Sequence, residues 1–268
     1  MLLALENGDL VVAGAYFKIQ IWDPNTGKIK HTLTDHTGWI KALKLVDNNR
    51  LISASQDKTI KIWNLTHGTL NKTITTGHTD MICDLALLQN DDLASASMDK
   101  TVKIWNLNDG KVKRTLTGQT YALTLCVLNN GDLASGSYDN TIIIWDVDAG
   151  TIKRTLTGHT SFVFRLIVLE NGDLVSGSDD KTIKIWNTED GTVKRTLSGH
   201  SHCVNSLKEL DNRDLVSGSA DKTIKIWNVN DGRLKISIVL NSEVLSLEAL
   251  ENGDLVTGCG DGTIKIWE

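Results

Sequence analysis

Apolar stretches of four to six residues alternate with short polar turns along the whole chain, and no segment carries apolar residues at helical spacing. Residues 163–197 show the pattern most clearly. Val163–Val168 is apolar and reads as a strand, and Glu170 to Asp173 makes a tight turn. Leu174–Ser178 is a second strand of small residues, suited to close approach by a neighbouring sheet. Asp179 to Lys181 turns the chain into Thr182–Trp186, β-branched and alternating, and Asp190 with Gly191 leads into a fourth strand, Val193–Leu197, carrying Lys194 and Arg195. Asn-Gly recurs at Asn7, Asn130, Asn171 and Asn252, and is expected to supply the positive φ values of a two-residue hairpin. The prediction is all-β.

The same phrase returns down the chain. Ile-Trp closes it at Trp22, Trp63, Trp105, Trp145, Trp186, Trp227 and Trp267, with spacings of 41, 42, 40, 41, 41 and 40 residues. Residues 171–186, NGDLVSGSDDKTIKIW, reappear at 212–227 as NRDLVSGSADKTIKIW. A period near forty marks one supersecondary unit stacked many times, each unable to bury its faces alone. The expectation is one domain over residues 1–268.

Gly-His before the first strand, an aspartate in the second turn and Ile-Trp ending the third strand make the chain resemble the WD40 β-propeller family over its whole length. The resemblance implies seven four-stranded blades. It also implies a buried hydrogen-bonded tetrad of His, Ser, Asp and Trp in each blade. Complete sets fall at His36, Ser53, Asp57, Trp63; at His78, Ser95, Asp99, Trp105; at His159, Ser176, Asp180, Trp186; and at His200, Ser217, Asp221, Trp227. Which serine of each Ser-x-Ser pair bonds is left open. The fourth repeat has Gln119 for His, and the seventh has Leu240 or Asn241 there while keeping Thr257, Asp261 and Trp267. The first has Val12 for Ser and Tyr16 for Asp. The Asp that follows Trp in the family survives at Asp23 and Asp146, and Glu268 follows the last Trp.

Seven units of about 41 residues need about 287 residues, and the chain has 268. The shortfall sits at the seam, because the sequence opens inside a first strand and stops after a third. Two expectations follow. Either the residues are part of a longer array, or blade seven has three strands, the ring closes by packing, and the strand ending at Trp267 is an open edge with Lys265 as its gatekeeper.

Composition narrows the functions. A net charge of -5, from 28 basic and 33 acidic residues, argues against bulk electrostatic binding to nucleic acid or anionic membrane. No apolar run is long enough for a spanning helix, and MLLALENGDL lacks the basic start of a signal peptide. Cys83, Cys126, Cys203 and Cys259 are far apart with no CxxC, which fits free thiols and a cytoplasmic or nuclear home. Ser, His and Asp recur together, but beside a Trp in several repeats and without a nucleophile elbow, so no catalytic triad and no enzyme is expected. His200, His202 and Cys203 lie close in sequence without a well-spaced carboxylate, so neither a metal nor a cofactor is expected. Lys113, Arg114, Lys153, Arg154, Lys194 and Arg195, with Lys58, Lys100, Lys181 and Lys222, read as solvated edges more than as a phosphate-binding belt.

The aromatics are one-sided. Seven of the fourteen are the repeat tryptophans; the others are Tyr16, Phe17, Trp39, Tyr121, Tyr138, Phe162 and Phe164. All seven fall in connections from strand four to one or two to three, or in the first residues of strand one, at the top of the ring. The resemblance implies that the residue before strand one and the residue before the turn aspartate line the top rim and contact partners. The partner-binding set expected there is Trp39, Met81, Met98, Tyr121, Tyr138, Phe162, Phe164 and Asp179. Asp80, Asp84, Asp179 and Glu243 form an expected acidic rim for a basic ligand. The expected function is a non-catalytic scaffold capturing a peptide or protein loop. The alternatives are a regulatory module of a larger chain, with further repeats or domains outside these residues, or a phosphate or nucleic-acid binder.

Overall fold

The computed structural model describes residues 1–250 and 252–267, so Glu268 lies outside the described residues. They form seven antiparallel sheets, one per repeat. Blade five runs Val163–Val168, Leu174–Ser178, Thr182–Trp186 and Val193–Ser198, from the inner to the outer strand. Blade six follows as Val204–Glu209, Asp214–Ser219, Thr223–Asn228 and Leu234–Val239. A single 3-10 turn, Ala15–Phe17, is the one helical element among the described residues, and Tyr16 and Phe17 both hold positive φ there.

Each sheet buries both faces against its neighbours, which explains the small residues of the second strand. A methyl placed on Gly177 would lie 2.8 Å from Val204 Cγ1 of the next blade. The repeat tryptophans Trp63, Trp145, Trp186 and Trp227 are fully buried between sheets. Leu166 and Leu174 of blade five lie in one apolar cluster with Trp186 and with Val163, and Val175, on the opposite face, belongs to the next cluster. Strand alternation thus feeds two interfaces at once.

The Asn-Gly hairpins at the bottom differ from the two-residue form expected. Leu5 N–H donates to Asp9 O at 2.8 Å and Gly8 N–H to Leu5 O at 2.9 Å. Gly8 takes φ +83 while Asn7 stays out of the left-handed region. The loop therefore has three residues with one left-handed position at its end, the geometry of a type I turn closed by a bulge. The asparagine caps the turn through its side chain, with Asn7 Oδ1 accepting from Asp9 N–H at 3.0 Å. Asp91 and Arg213 hold the same left-handed site without glycine, at φ 61 and 66.

Blade seven has three strands among the described residues, Val244–Ala249, Leu255–Cys259 and Ile264–Trp267. The ring closes there by packing: Leu2 and Leu10 of blade one form an apolar cluster with Val256. Among the described residues the third strand pairs with one strand, and Ile266 is exposed on it.

Candidate functional site

The four complete tetrads named from the sequence make continuous hydrogen-bond chains. In blade five, Trp186 Nε1–H donates to Ser176 Oγ at 2.8 Å, and Ser176 Oγ lies 2.6 Å from His159 Nε2. His159 Nδ1 lies 2.6 Å from Asp180 Oδ2. With the proton on Nδ1, every donor in the chain meets an acceptor, which assigns the tautomer. Ser53, Ser95 and Ser217 play the same part, so the first serine of each pair is the one that bonds. The second serine works at the turn, as where Ser178 Oγ accepts from Asp180 N–H at 3.0 Å.

Burial raises the proton affinity of Asp57, Asp99, Asp180 and Asp221, but their hydrogen bonds from imidazole, threonine hydroxyl and backbone amides outweigh it. All four sit below the usual carboxylate range, Asp221 at about 2. Burial likewise pulls His78 and His200 below the ordinary imidazole value, and their aspartates only partly restore it. These groups are locked in place and buried, and are spent on holding each blade together.

The irregular repeats show what substitution does. Gln119 Oε1 accepts from Ser135 Oγ at 2.6 Å, yet Gln119 Nε2 is buried with no partner. In blade seven the buried Leu240 fills the histidine position, and Trp267 Nε1–H reaches Thr257 Oγ1 at 3.1 Å. In blade one Val12 offers no acceptor, and Trp22 Nε1 is buried unpaired.

The basic residues of the outer strands are engaged within the fold. Lys113, Lys153 and Lys194 pair with Asp92, Asp132 and Asp173 at 2.5–2.7 Å. Arg114, Arg154 and Arg195 donate to backbone carbonyls in the bottom turn of the following blade, for instance Arg114 Nη2 to Asp148 O at 2.7 Å. They tie adjacent blades together at the outer edge.

The top rim is built from two positions per blade, joined by a backbone hydrogen bond. Tyr138 N–H donates to Tyr121 O at 3.1 Å, Met98 N–H to Met81 O at 3.0 Å, and Asp179 N–H to Phe162 O at 2.9 Å. Gln56 with Trp39, Ala220 with Cys203 and Gly260 with Glu243 repeat the bond. Across blades four and five the side chains form one row. Tyr121 meets Tyr138 edge-on at 5.6 Å, Tyr138 stacks on Phe162 at 3.6 Å, and Phe162 meets Phe164 edge-on at 6.2 Å. Trp39 stands outside this row, 57% exposed, with Lys41 Nζ 5.5 Å from its ring centre. Met81 and Met98 are half-buried.

Asp84 does not belong to the rim. It is 7% exposed, and its Oδ2 accepts from Leu125 N–H at 2.8 Å and Thr124 Oγ1 at 3.1 Å, bridging blades three and four. An inner-strand carboxylate reaches the next blade's unpaired amide instead of solvent. Asp80 and Glu243 are exposed and Asp179 is half-buried.

All four cysteines are free. Burial pushes the Cys83 thiol up to about 12 and Cys126 up to about 11. Burial and then the charge of Asp179 also raise Cys203, so these three are not activated as thiolate nucleophiles. The structure does bring Asp179 to His202 and Cys203, with one ligand atom from each within 4.8 Å of the others. Sequence spacing missed this grouping, because Asp179 arrives from the preceding blade.

Among known proteins, the family described as WD domain, G-beta repeat matches residues 27–64, 68–106, 110–146, 150–187, 191–228 and 234–268. The WD40 β-propeller domain of Doa1 superposes with a TM-score of 0.87 at 26% identity, over 100% of this chain and 91% of that one. Protein tipD of Dictyostelium discoideum is 38% identical over 55 residues, 20% of this chain and 9% of that protein. Autophagy-related protein 16 of Arabidopsis thaliana is 30% identical over 76 residues, 28% of this chain and 15% of that protein. The chain thus spans well under a fifth of the length of these curated relatives. WD40 propellers are in general protein-interaction scaffolds, and related WD-repeat proteins fill varied roles. Six matched repeats, seven sheets and four complete tetrads lead to one statement: the chain belongs to the WD40 repeat family of β-propellers.

Proposed function

We propose that this propeller is a non-catalytic platform that captures a peptide or protein loop on its top face. The observation that carries the reading is the aromatic row Tyr121–Tyr138–Phe162–Phe164, of which Tyr121, Tyr138 and Phe164 are exposed large side chains. Aromatics preassembled by stacking lose little entropy on binding, and they bury large areas in a partner's side chains. Met81 and Met98 extend the apolar bed to blade three, Trp39 flanks it, and Asp179 offers a carboxylate beside Phe162. The tetrads and inter-blade arginines hold the rim rigid. The commitment of the outer-strand lysines and arginines to aspartates and carbonyls weighs against a phosphate or nucleic-acid role. The free thiols support a reducing compartment, cytosol or nucleus.

The test is selection of peptides from a displayed random library, followed by affinity measurement at low and high salt. Selected peptides that bind wild type at high salt and lose tenfold or more on Trp39→Ala/Phe162→Ala, at matched melting temperature, support the reading. Binding that collapses with salt and ignores the double substitution overturns it.

A further inference from the structure

We propose that Asp179, His202 and Cys203 form a zinc-binding site on the top rim between blades five and six. The proposal does not rest on peptide capture. It starts from a junction that recurs around the ring, where the residue before one blade's turn aspartate faces the residue entering the next blade's inner strand. Between blades four and five that junction is Tyr138 stacked on Phe162. Between blades five and six the same two positions are Asp179 and Cys203, with His202 directly preceding. A carboxylate, an imidazole and a thiol replace an aromatic stack.

The geometry suits a tetrahedral ion. His202 Nδ1 lies 3.3 Å from Cys203 Sγ, and no pair of ligand atoms is more than 4.8 Å apart. A tetrahedral zinc with bonds of about 2.3 Å to sulfur and about 2.0 Å to nitrogen and oxygen sets such ligand atoms about 3.3–3.6 Å apart. The imidazole and thiol already meet that spacing, and a side-chain rotation of Asp179 closes the rest. Nδ1 now accepts the Cys203 amide proton at 2.8 Å, a bond that a metal on Nδ1 replaces.

The surroundings hold the donors in place. Ser161 Oγ donates to Asp179 Oδ2 at 2.9 Å, leaving Oδ1 open. The Cys203 thiol donates to Asn205 Oδ1 at 3.3 Å, a bond given up when the sulfur binds metal as a thiolate, and Asn205 Nδ2 donates to Val244 O at 3.0 Å. The Ser161 contact on Asp179 is of the kind that orients a ligand in a metal site. Among the described residues, Asp179 has no lysine or arginine ion-pair partner. A mixed sulfur, nitrogen and oxygen set selects zinc over magnesium or calcium. Three protein ligands leave a fourth position of a tetrahedral ion for water or a ligand atom.

The experiment uses chelator-stripped full chain. Zn²⁺ is titrated by calorimetry against a competing chelator, and Co²⁺ replaces it for absorbance. The expected result is one equivalent bound, with a near-ultraviolet thiolate-to-cobalt band. Cys203→Ser abolishes the band, and Asp179→Asn and His202→Gln each weaken the affinity at least tenfold with unchanged circular dichroism. Trp39→Ala/Phe162→Ala leaves metal binding intact, so failure of peptide capture and failure of the metal site are told apart. Absence of stoichiometric binding overturns the proposal. So does binding that persists undiminished in Cys203→Ser, or a cobalt spectrum without a thiolate band.

Discussion

Replacing Asp180 by alanine removes a carboxylate that receives four hydrogen bonds. Its donors are His159 Nδ1–H at 2.6 Å, Thr182 hydroxyl at 2.6 Å, Thr182 N–H at 2.9 Å and Thr160 N–H at 3.0 Å. The His159 side chain is wholly buried and that of Asp180 is 6% exposed. Thr160 is exposed and its amide rehydrates, while the imidazole and the threonine groups stay largely dry. Stranding a buried donor costs about 1–3 kcal/mol, so Asp180→Ala is expected to lose about 3–4 kcal/mol. Blade four supplies the control. Asp139 is exposed and accepts from Thr141 N–H at 3.0 Å and Thr141 Oγ1 at 2.5 Å, while Gln119 bonds to Ser135 instead. Asp139→Ala should therefore cost about 1 kcal/mol. Native-state hydrogen exchange at the amides of 163–198 and 122–156 reads each blade separately, which suits a repeat fold whose blades need not open together. Equal losses at the two positions, or a loss below about 1 kcal/mol for Asp180→Ala, would refute the view that the buried imidazole is what makes the tetrad strong.

Three further outcomes follow from the same geometry. Asp91→Gly relieves a left-handed residue at φ 61 and should raise stability by about 1 kcal/mol, with Gly131→Ala at the matching turn lowering it; urea midpoints of both variants check this, and a loss on Asp91→Gly contradicts it. Val12→Thr keeps the shape while offering the buried Trp22 Nε1 an acceptor, as Thr257 does for Trp267, and should gain about 1 kcal/mol, read as a rise in melting temperature. For pH, the depressed His78 and His200 mean that the unfolded chain takes up protons first, so stability falls as pH drops below about 6.5, and the depressed aspartates add a second fall below about 4. A urea midpoint that stays flat between pH 7.5 and 5 would contradict the histidine part.

The legible features share a length scale. A tetrad joins residues 10, 17 and 21 apart, all inside one blade. The family resemblance carried by the forty-residue period and its motifs therefore placed His159, Asp180 and Trp186, and left the choice between Ser176 and Ser178 to the structure. Position along each unit likewise put Trp39, Tyr121, Tyr138 and Phe162 at the top. The bottom turns were misjudged because Asn-Gly serves both two-residue and three-residue loops, and only the pairing of Leu5 with Asp9 separates them.

Contacts between blades were a different matter. Asp84 reaches an amide 41 residues on, Arg114 a carbonyl 34 residues on, and Asp179 lies within 4.8 Å of a thiol on the next blade. None of these separations has a local signature, because the partner depends on how one sheet rotates and seats on the next. An acid on an inner strand looks the same in sequence whether it faces the channel or a neighbouring amide. By itself, then, the chain's order of residues determined the number of blades and their strands, and through the family resemblance the members of each tetrad up to the choice of serine. Only the tertiary structure decided which groups meet across the gaps, since that pairing arises from sheet-on-sheet packing and the closing of the ring at Leu2, Leu10 and Val256.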